Sequence, residues 1–423
     1  MTDLETASHP ENLRRVAIDP LSRVEGHGKV TLLLDADNRV QQARLHIVEF
    51  RGFEKFIQGR PYWEVPVMVQ RLCGICPVSH HLAAAKAMDQ IVGATLTPTA
   101  EKIRRLMHYG QILQSHALHF FHLASPDLLF GFDADAARRN IAGLVAHDPA
   151  IIRKGVLLRK YGQEIIRMTA GKRVHGTGAI PGGVNKALAA DERALLLRDI
   201  YDMIAWSREA IQLVRQLFER NLAQYRDFGR FDAHTLSLVR ADGALDFYDG
   251  GLRARRVDGT TLFDHFDTDH YWDAIVEDVK PWSYMKFPFL RMLGSADAGW
   301  YRVGPLTRVT QCDFIPTPFA ERERQDAPPA RVDHRVTQIA APLPGVPPPT
   351  PRPRWGWRCR PCRKPEQGSL LYLAIPPAAG GKTETVHKRS GCPPADVRRV
   401  GVFIRRTVWP SCSFVRNVAN EEK

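Results

Sequence analysis

The chain lacks any run of about 18 uncharged apolar residues, so no membrane-spanning helix is expected. Its opening stretch, Met1 to Arg15, has no basic-then-apolar pattern of a signal peptide, which points to the cytoplasm. Neither a dinucleotide-binding Gly-x-Gly-x-x-Gly nor a phosphate-cradling Gly-x-x-x-x-Gly-Lys is present, so this chain builds no nucleotide site of its own. Cysteine is scarce and odd in number, seven in 423 residues, with Cys73/Cys76 and Cys359/Cys362 in Cys-x-x-Cys pairs. That usage fits metal or redox duty in a reducing compartment better than a disulfide framework.

Acidic charge is scarce only locally. The net charge is +13, yet residues 1–325 carry 42 basic against 39 acidic groups, whereas residues 326–423 carry 17 against 7. The same tail holds 16 of the 30 prolines, in runs such as Pro347-Pro348-Pro349-Thr350-Pro351-Arg352-Pro353-Arg354. The basic pI of about 9.6 therefore belongs to the tail, and the body gives no signal for nucleic acid or an anionic membrane. Two units are expected: a folded body, 1–325, and a Pro/Arg-rich tail, 326–423, mostly disordered or out of frame.

The body reads as α+β, mainly α, with a helical bundle core and peripheral β-hairpins. Lys29–Leu34 and Val40–Phe50 flank Asp35-Ala36-Asp37-Asn38 as a hairpin. Helices are expected over Thr99–Ala124, after a Thr97-Pro98-Thr99 cap signal, over Pro149–Ala170, stopped by Gly171, and over Asp191–Phe228. Val174–Gly183 is a glycine-rich loop, and Leu236–Val257 reads as short strands and turns at the surface.

The densest chemical signal is Cys73-Gly74-Ile75-Cys76-Pro77-Val78-Ser79-His80. Two thiols at this spacing can face one ion, with Gly74 allowing a tight turn and His80 one helical turn beyond Cys76. Thiolates suit zinc, iron–sulfur clusters, copper(I) or nickel, and a lone Cys-x-x-Cys does not choose among them. His81, adjacent to His80, reads as a surface residue. His116, His119 and His122 share a helical face and read as structural, and Cys312 as a buried single thiol.

Upstream stand Arg23-Val24-Glu25-Gly26-His27 and Arg51-Gly52-Phe53-Glu54. With Arg71-Leu72-Cys73 to His80 they form an ordered trio that resembles nickel–iron hydrogenase large subunits, and the flanks from Gly59 to Asp89 resemble the cytoplasmic NAD-reducing type. The resemblance runs from about Arg15 to Phe319. It implies heterolytic splitting of H2 at a nickel–iron centre, with Cys73 a terminal nickel ligand and Cys76 bridging nickel and iron. It also implies a hydrogen bond from His80 toward the bridging sulfur, Glu25 as proton relay, Glu54 as a magnesium ligand, and Arg51 and Arg71 balancing local negative charge. His175 falls at a position near the family's pocket. Iron–sulfur clusters, FMN and NAD would sit on partners, namely a flavin-containing diaphorase and a hydrogenase small subunit.

The family's second ligand pair, Asp-Pro-Cys-x-x-Cys-x-x-His, is missing from this sequence. Cys359-Arg360-Pro361-Cys362 has no Asp-Pro before it and no histidine three residues after it. A GC-rich gene read out of frame yields excess Arg, Pro, Gly and Ala, so a frameshift near residues 320–326 is expected, leaving a form with an incomplete centre. A genuine nucleic-acid-binding tail is the alternative, although aromatic–basic interleaving is confined to Trp355, Trp357 and Trp409. Two other functions remain open: a protein of the complex I quinone-reductase type, against which the cysteines argue, and a non-catalytic zinc-binding interaction protein.

Overall fold

The computed structural model describes residues 10–21, 24–50, 52–225 and 231–326. Arg23, Arg51, Cys359, Cys362 and the rest of residues 327–423 lie outside the described residues.

The chain opens with an antiparallel meander of β1 (Arg14–Ile18), β2 (Gly28–Leu34) and β3 (Val40–Ile47). Asp35 Oδ1 accepts the amides of Asp37 and Arg39 at 2.9 Å, and Asn38 takes a left-handed φ of 62°, so the Asp/Asn turn closes as expected. Single turns α1 (Phe53–Phe56) and α2 (Val65–Met68) lead to α3 (Pro77–Val92) and α4 (Pro98–Leu118). α4 continues as a π-helical turn over His119–Ala124, before short α5 (Ser125–Phe130) and α6 (Ile141–His147). α7 (Pro149–Ala170), the small hairpin β4 (Ala179–Ile180)/β5 (Gly183–Val184), α8 (Ala190–Arg220) and α9 (Leu222–Tyr225) complete the helical core.

Local chemistry explains the helix limits. Thr97 Oγ1 accepts the Ala100 amide at 3.2 Å, and Asp148 Oδ1 accepts those of Ala150 and Ile151 at 3.0 and 3.1 Å, each cap followed by proline at the first helical position. Gly171, at φ 83°, ends α7. α8 stops at Arg220, short of the expected Phe228: Asn221 leaves helical geometry at φ −118°. α3 is a helix that the pattern of the sequence does not single out.

α4 and α7 cross at contact distance because each offers glycine there. A methyl on Gly162 would lie 2.6 Å from the Gly110 carbonyl oxygen, and one on Gly110 2.8 Å from Ile165 Cγ2. Around the crossing, Val78, Leu82 and Ala85 of α3 join Met107, Ile166, Ala170, Ala179 and Tyr248 in one buried cluster. Ala117, Phe120, Phe121, Leu158, Met203, Ala210 and Val214 form the next, which carries α8.

A second sheet follows, ordered β11-β6-β7-β8, from β6 (His234–Val239), β7 (Gly251–Arg255), β8 (Thr261–Phe266) and β11 (Tyr301–Arg302). β9 (Ile275–Val279) pairs with β10 (Lys286–Leu290), α10 (Tyr271–Ala274) and α11 (Ala296–Gly299) are single turns, and α12 (Pro305–Gln311) and α13 (Pro318–Asp326) close the described chain. Leu236, Ala254, Leu290 and Tyr301 are buried together, so the segment expected to lie at the surface forms a core of its own with strands some 50 residues further on.

One ion pair welds the core. Arg104, fully buried on α4, donates to Asp89 of α3 at 2.6 and 3.2 Å and to the carbonyls of Ile180 and Gly183 at 2.7 and 3.1 Å. Asp89→Ala leaves that guanidinium buried without its counter-charge and is expected to cost about 3–5 kcal/mol, read by urea unfolding. A loss under about 1 kcal/mol contradicts this account.

Candidate metal centre

The 3-10 turn Val69–Leu72 delivers the chain to Cys73 in extended geometry (φ −150°, ψ 133°), and Cys76 caps α3. Gly74 has no positive φ, and a methyl added there would meet nothing within 4 Å, so the turn does not need glycine as expected. Cys73 is half-buried while Cys76 and His80 are buried. Their ligand atoms all lie within 4.8 Å of one another, and no other such group of three His, Cys, Asp or Glu side chains occurs among the described residues.

The Cys73 sulfur is held as an anion. The amides of Ile75 and Cys76 point at it from 3.4 and 3.3 Å. Hydrogen bonding from the Cys76 thiol lowers its pKa most; burial opposes this, and His80 and the two amides add to the lowering, bringing it from 9.0 to about 4. His80 acts on the Cys73 sulfur as a side-chain hydrogen-bond partner.

Two buried amides fix the loop from the side. Gln111 and Gln114, one turn apart on α4, both donate Nε2–H to the Ile75 carbonyl, at 2.8 and 2.9 Å. Nothing in the sequence marks them. His81, expected at the surface, is 1% exposed. Its Nδ1 sits 2.7 Å from the Pro66 carbonyl and its Nε2 accepts the Ala179 amide at 2.9 Å, joining α2, α3 and the glycine-rich loop. Burial pushes its pKa down to about 4, so it stays neutral.

The other expected residues stand around this cluster. Arg71 is exposed at the end of the 3-10 turn. His175, at φ 55°, has its pKa lowered by burial and by the charge of Arg71, against a raising effect of Cys73, so the loop carries it beside the motif. Glu25 lies on the exposed turn before β2, and Glu54 is half-buried on α1; neither joins the close group. His116, His119 and His122 reach into apolar surroundings that depress all three pKa values, which fits their structural reading. Cys312 is buried, its thiol pushed up to about 11 by burial, and its Sγ–H bonds the Val309 carbonyl at 3.4 Å.

Comparison with known proteins converges on one family. Residues 51–147 match the family model described as nickel-dependent hydrogenase, and residues 15–50 match one described as HoxL-like. The vhu F420-non-reducing hydrogenase of Methanocaldococcus jannaschii contains a polypeptide 43% identical over 312 residues, 74% of each chain. The chain belongs to the nickel-dependent hydrogenases. Within that family it is 45% identical over 320 residues to the beta subunit of the NAD-reducing hydrogenase HoxS from Cupriavidus necator, covering 73% of this chain and 65% of that one. A solved NAD+-reducing NiFe-hydrogenase in the H2-reduced state superposes with a TM-score of 0.74 at 55% identity, covering 78% of this chain and 76% of that one. The mainly α, α+β architecture expected from the sequence is that of this family.

The lowered Cys73 pKa predicts a pH dependence. A folded-state pKa of about 4 against an ordinary 9.0 means that the fold favours thiolate over thiol. This stabilisation is complete above about pH 9, shrinks on acidification and is gone below about pH 4. Thiolate absorbance near 240 nm, taken as the difference between the native chain and Cys73→Ser, should titrate with a midpoint close to 4. A midpoint above about 7 contradicts the geometry.

Proposed function

We propose that this chain is the catalytic large subunit of an NAD-reducing nickel–iron hydrogenase, in a form that supplies half of the metal's thiolate set. The observation that carries the reading is the convergence of Cys73, Cys76 and His80 in a member of the nickel-dependent hydrogenases. The donors fit such a centre: two soft sulfurs, one already anionic, with an imidazole beside them. Cys73 and Cys76 would hold the nickel–iron group, which when bound polarises H2. His80 would donate a hydrogen bond toward the bridging sulfur of Cys76, and the Cys73 sulfur, held anionic by the Ile75 and Cys76 amides, would accept the proton. Glu25, on its exposed turn, would pass the proton to water, and Arg71 would offset the negative charge gathered at the site. Glu54 would hold a magnesium ion. Electrons would leave through iron–sulfur clusters of a small subunit to an FMN-containing diaphorase that reduces NAD, in a cytoplasmic hetero-oligomer.

The two further thiolates would be encoded past the body in another reading frame, so residues 326–423 would be a frameshift product and this form inactive. Sequencing the transcript from the codon of Tyr301 onward is expected to reveal a frame encoding Asp-Pro-Cys-x-x-Cys-x-x-His. If all three frames lack it, or if the purified chain holds zinc at one per molecule in place of nickel and iron, the enzyme reading gives way to an inactive or zinc-binding relative.

In the frame-restored protein, Cys76→Ala should abolish H2-dependent NAD reduction. Glu25→Gln should slow H/D exchange by at least about tenfold while leaving nickel content unchanged by elemental analysis. Full activity of Cys76→Ala would remove the site assignment.

A further inference from the structure

We infer that Gln111 and Gln114 are positioning residues that preset the metal-binding thiolates through the peptide group between Ile75 and Cys76. This rests on Cys73 and Cys76 being the metal pair. The Ile75 carbonyl and the Cys76 N–H belong to one planar peptide unit, so fixing the direction of one fixes the other. Both glutamine amides donate to that carbonyl, at 2.8 and 2.9 Å, which uses both of its lone pairs. At the other end of the unit, the Cys76 N–H points at Cys73 Sγ from 3.3 Å. The two glutamines therefore aim the N–H that binds the first sulfur, and they hold the backbone of the residue that bears the second.

The arrangement costs more than helix stability requires. Gln111 and Gln114 are 2% and 5% exposed, and the Gln111 Oε1 is buried with no hydrogen-bond partner. Turning either amide over would set an oxygen against the carbonyl, so the orientation is set by the loop. The backbone behind Gln114 is also constrained, because a methyl at Gly162 would come within 2.8 Å of the Gln114 Cβ and amide nitrogen. The backbone of α4 at Gln114 is thus held against α7, and its side chain reaches the Ile75 carbonyl. No charge is introduced: two neutral amides hold an anionic site without adding a competing carboxylate or a cation that would repel the metal.

The test titrates Co2+ alone into the full-length apo chain and follows the ultraviolet thiolate-to-cobalt charge-transfer band. The spectrum of Cys73→Ser/Cys76→Ser is subtracted to remove the tail cysteines. Gln111→Met/Gln114→Met keeps the side-chain volume and removes both donors. Loss of such outer contacts is expected to weaken Co2+ affinity about 10–100-fold and shift the band, with the far-UV spectrum unchanged. Gln111→Met alone, which keeps the Gln114 bond, should lose less than half of that in logarithmic terms, and it serves as the decisive variant if the double one does not fold. Native affinity and band shape in either variant, with the fold intact, overturn the proposal. A native spectrum that does not exceed that of Cys73→Ser/Cys76→Ser, so that the difference band vanishes, overturns instead the choice of metal pair on which it rests.

Discussion

The Arg104–Asp89 pair is the constraint on which the rest of the core depends. An arginine with no exposed surface is tolerable only if its donors are engaged, and here they go to one carboxylate and two loop carbonyls. Asp89 also accepts the Gly182 amide at 2.6 Å, so α3, α4 and the β4/β5 hairpin are bound to a single charged centre. The helices are thereby fixed at one end, and the cysteine loop, at the opposite end of α3, is held by α4 through Gln111 and Gln114. The site is the far end of a lever whose pivot is buried charge.

The buried imidazoles of α3 and α4 are kept uncharged. His81, His108 and His116 are all held well below the ordinary imidazole pKa by burial, to about 4, 4 and 3. They act as neutral hydrogen-bonding groups. The negative charge on Cys73 is stabilised by a thiol, an imidazole and two backbone amides, with Arg71 left at the exposed rim. Such a site neutralises little of its own charge.

What can be read from the sequence is local. The β2–β3 hairpin and the starts of α4 and α7 follow from Asp/Asn turn chemistry and Thr/Asp–Pro caps, signals confined to a few adjacent residues. α3 escapes notice because it is buried nearly all round and shows no amphipathic period. His81 looks like a surface residue because its partners, Pro66 and Ala179, lie 15 and 98 residues away. The β6–β7 segment looks superficial for the same reason, since Leu290 and Tyr301 complete its core. The cysteine motif is legible as a candidate metal site, whereas the glutamines that bond its Ile75 carbonyl are not, because mid-helix amides carry no pattern until the fold gives them a carbonyl.

The span of the loop's supports has a consequence for synthesis. The bonds joining Ile75 to Gln111 and Gln114, His81 to Pro66 and Ala179, and Arg104 to Asp89 and Gly183 all close within the first 183 residues. Each bridges fewer than 100 positions, so the entropy of closing them is modest. As the polypeptide leaves the ribosome N-terminus first, the nest for the thiolates can be assembled while α8 and the second sheet are still being translated. A change in the chain after residue 320 leaves both partners of every one of these bonds in place.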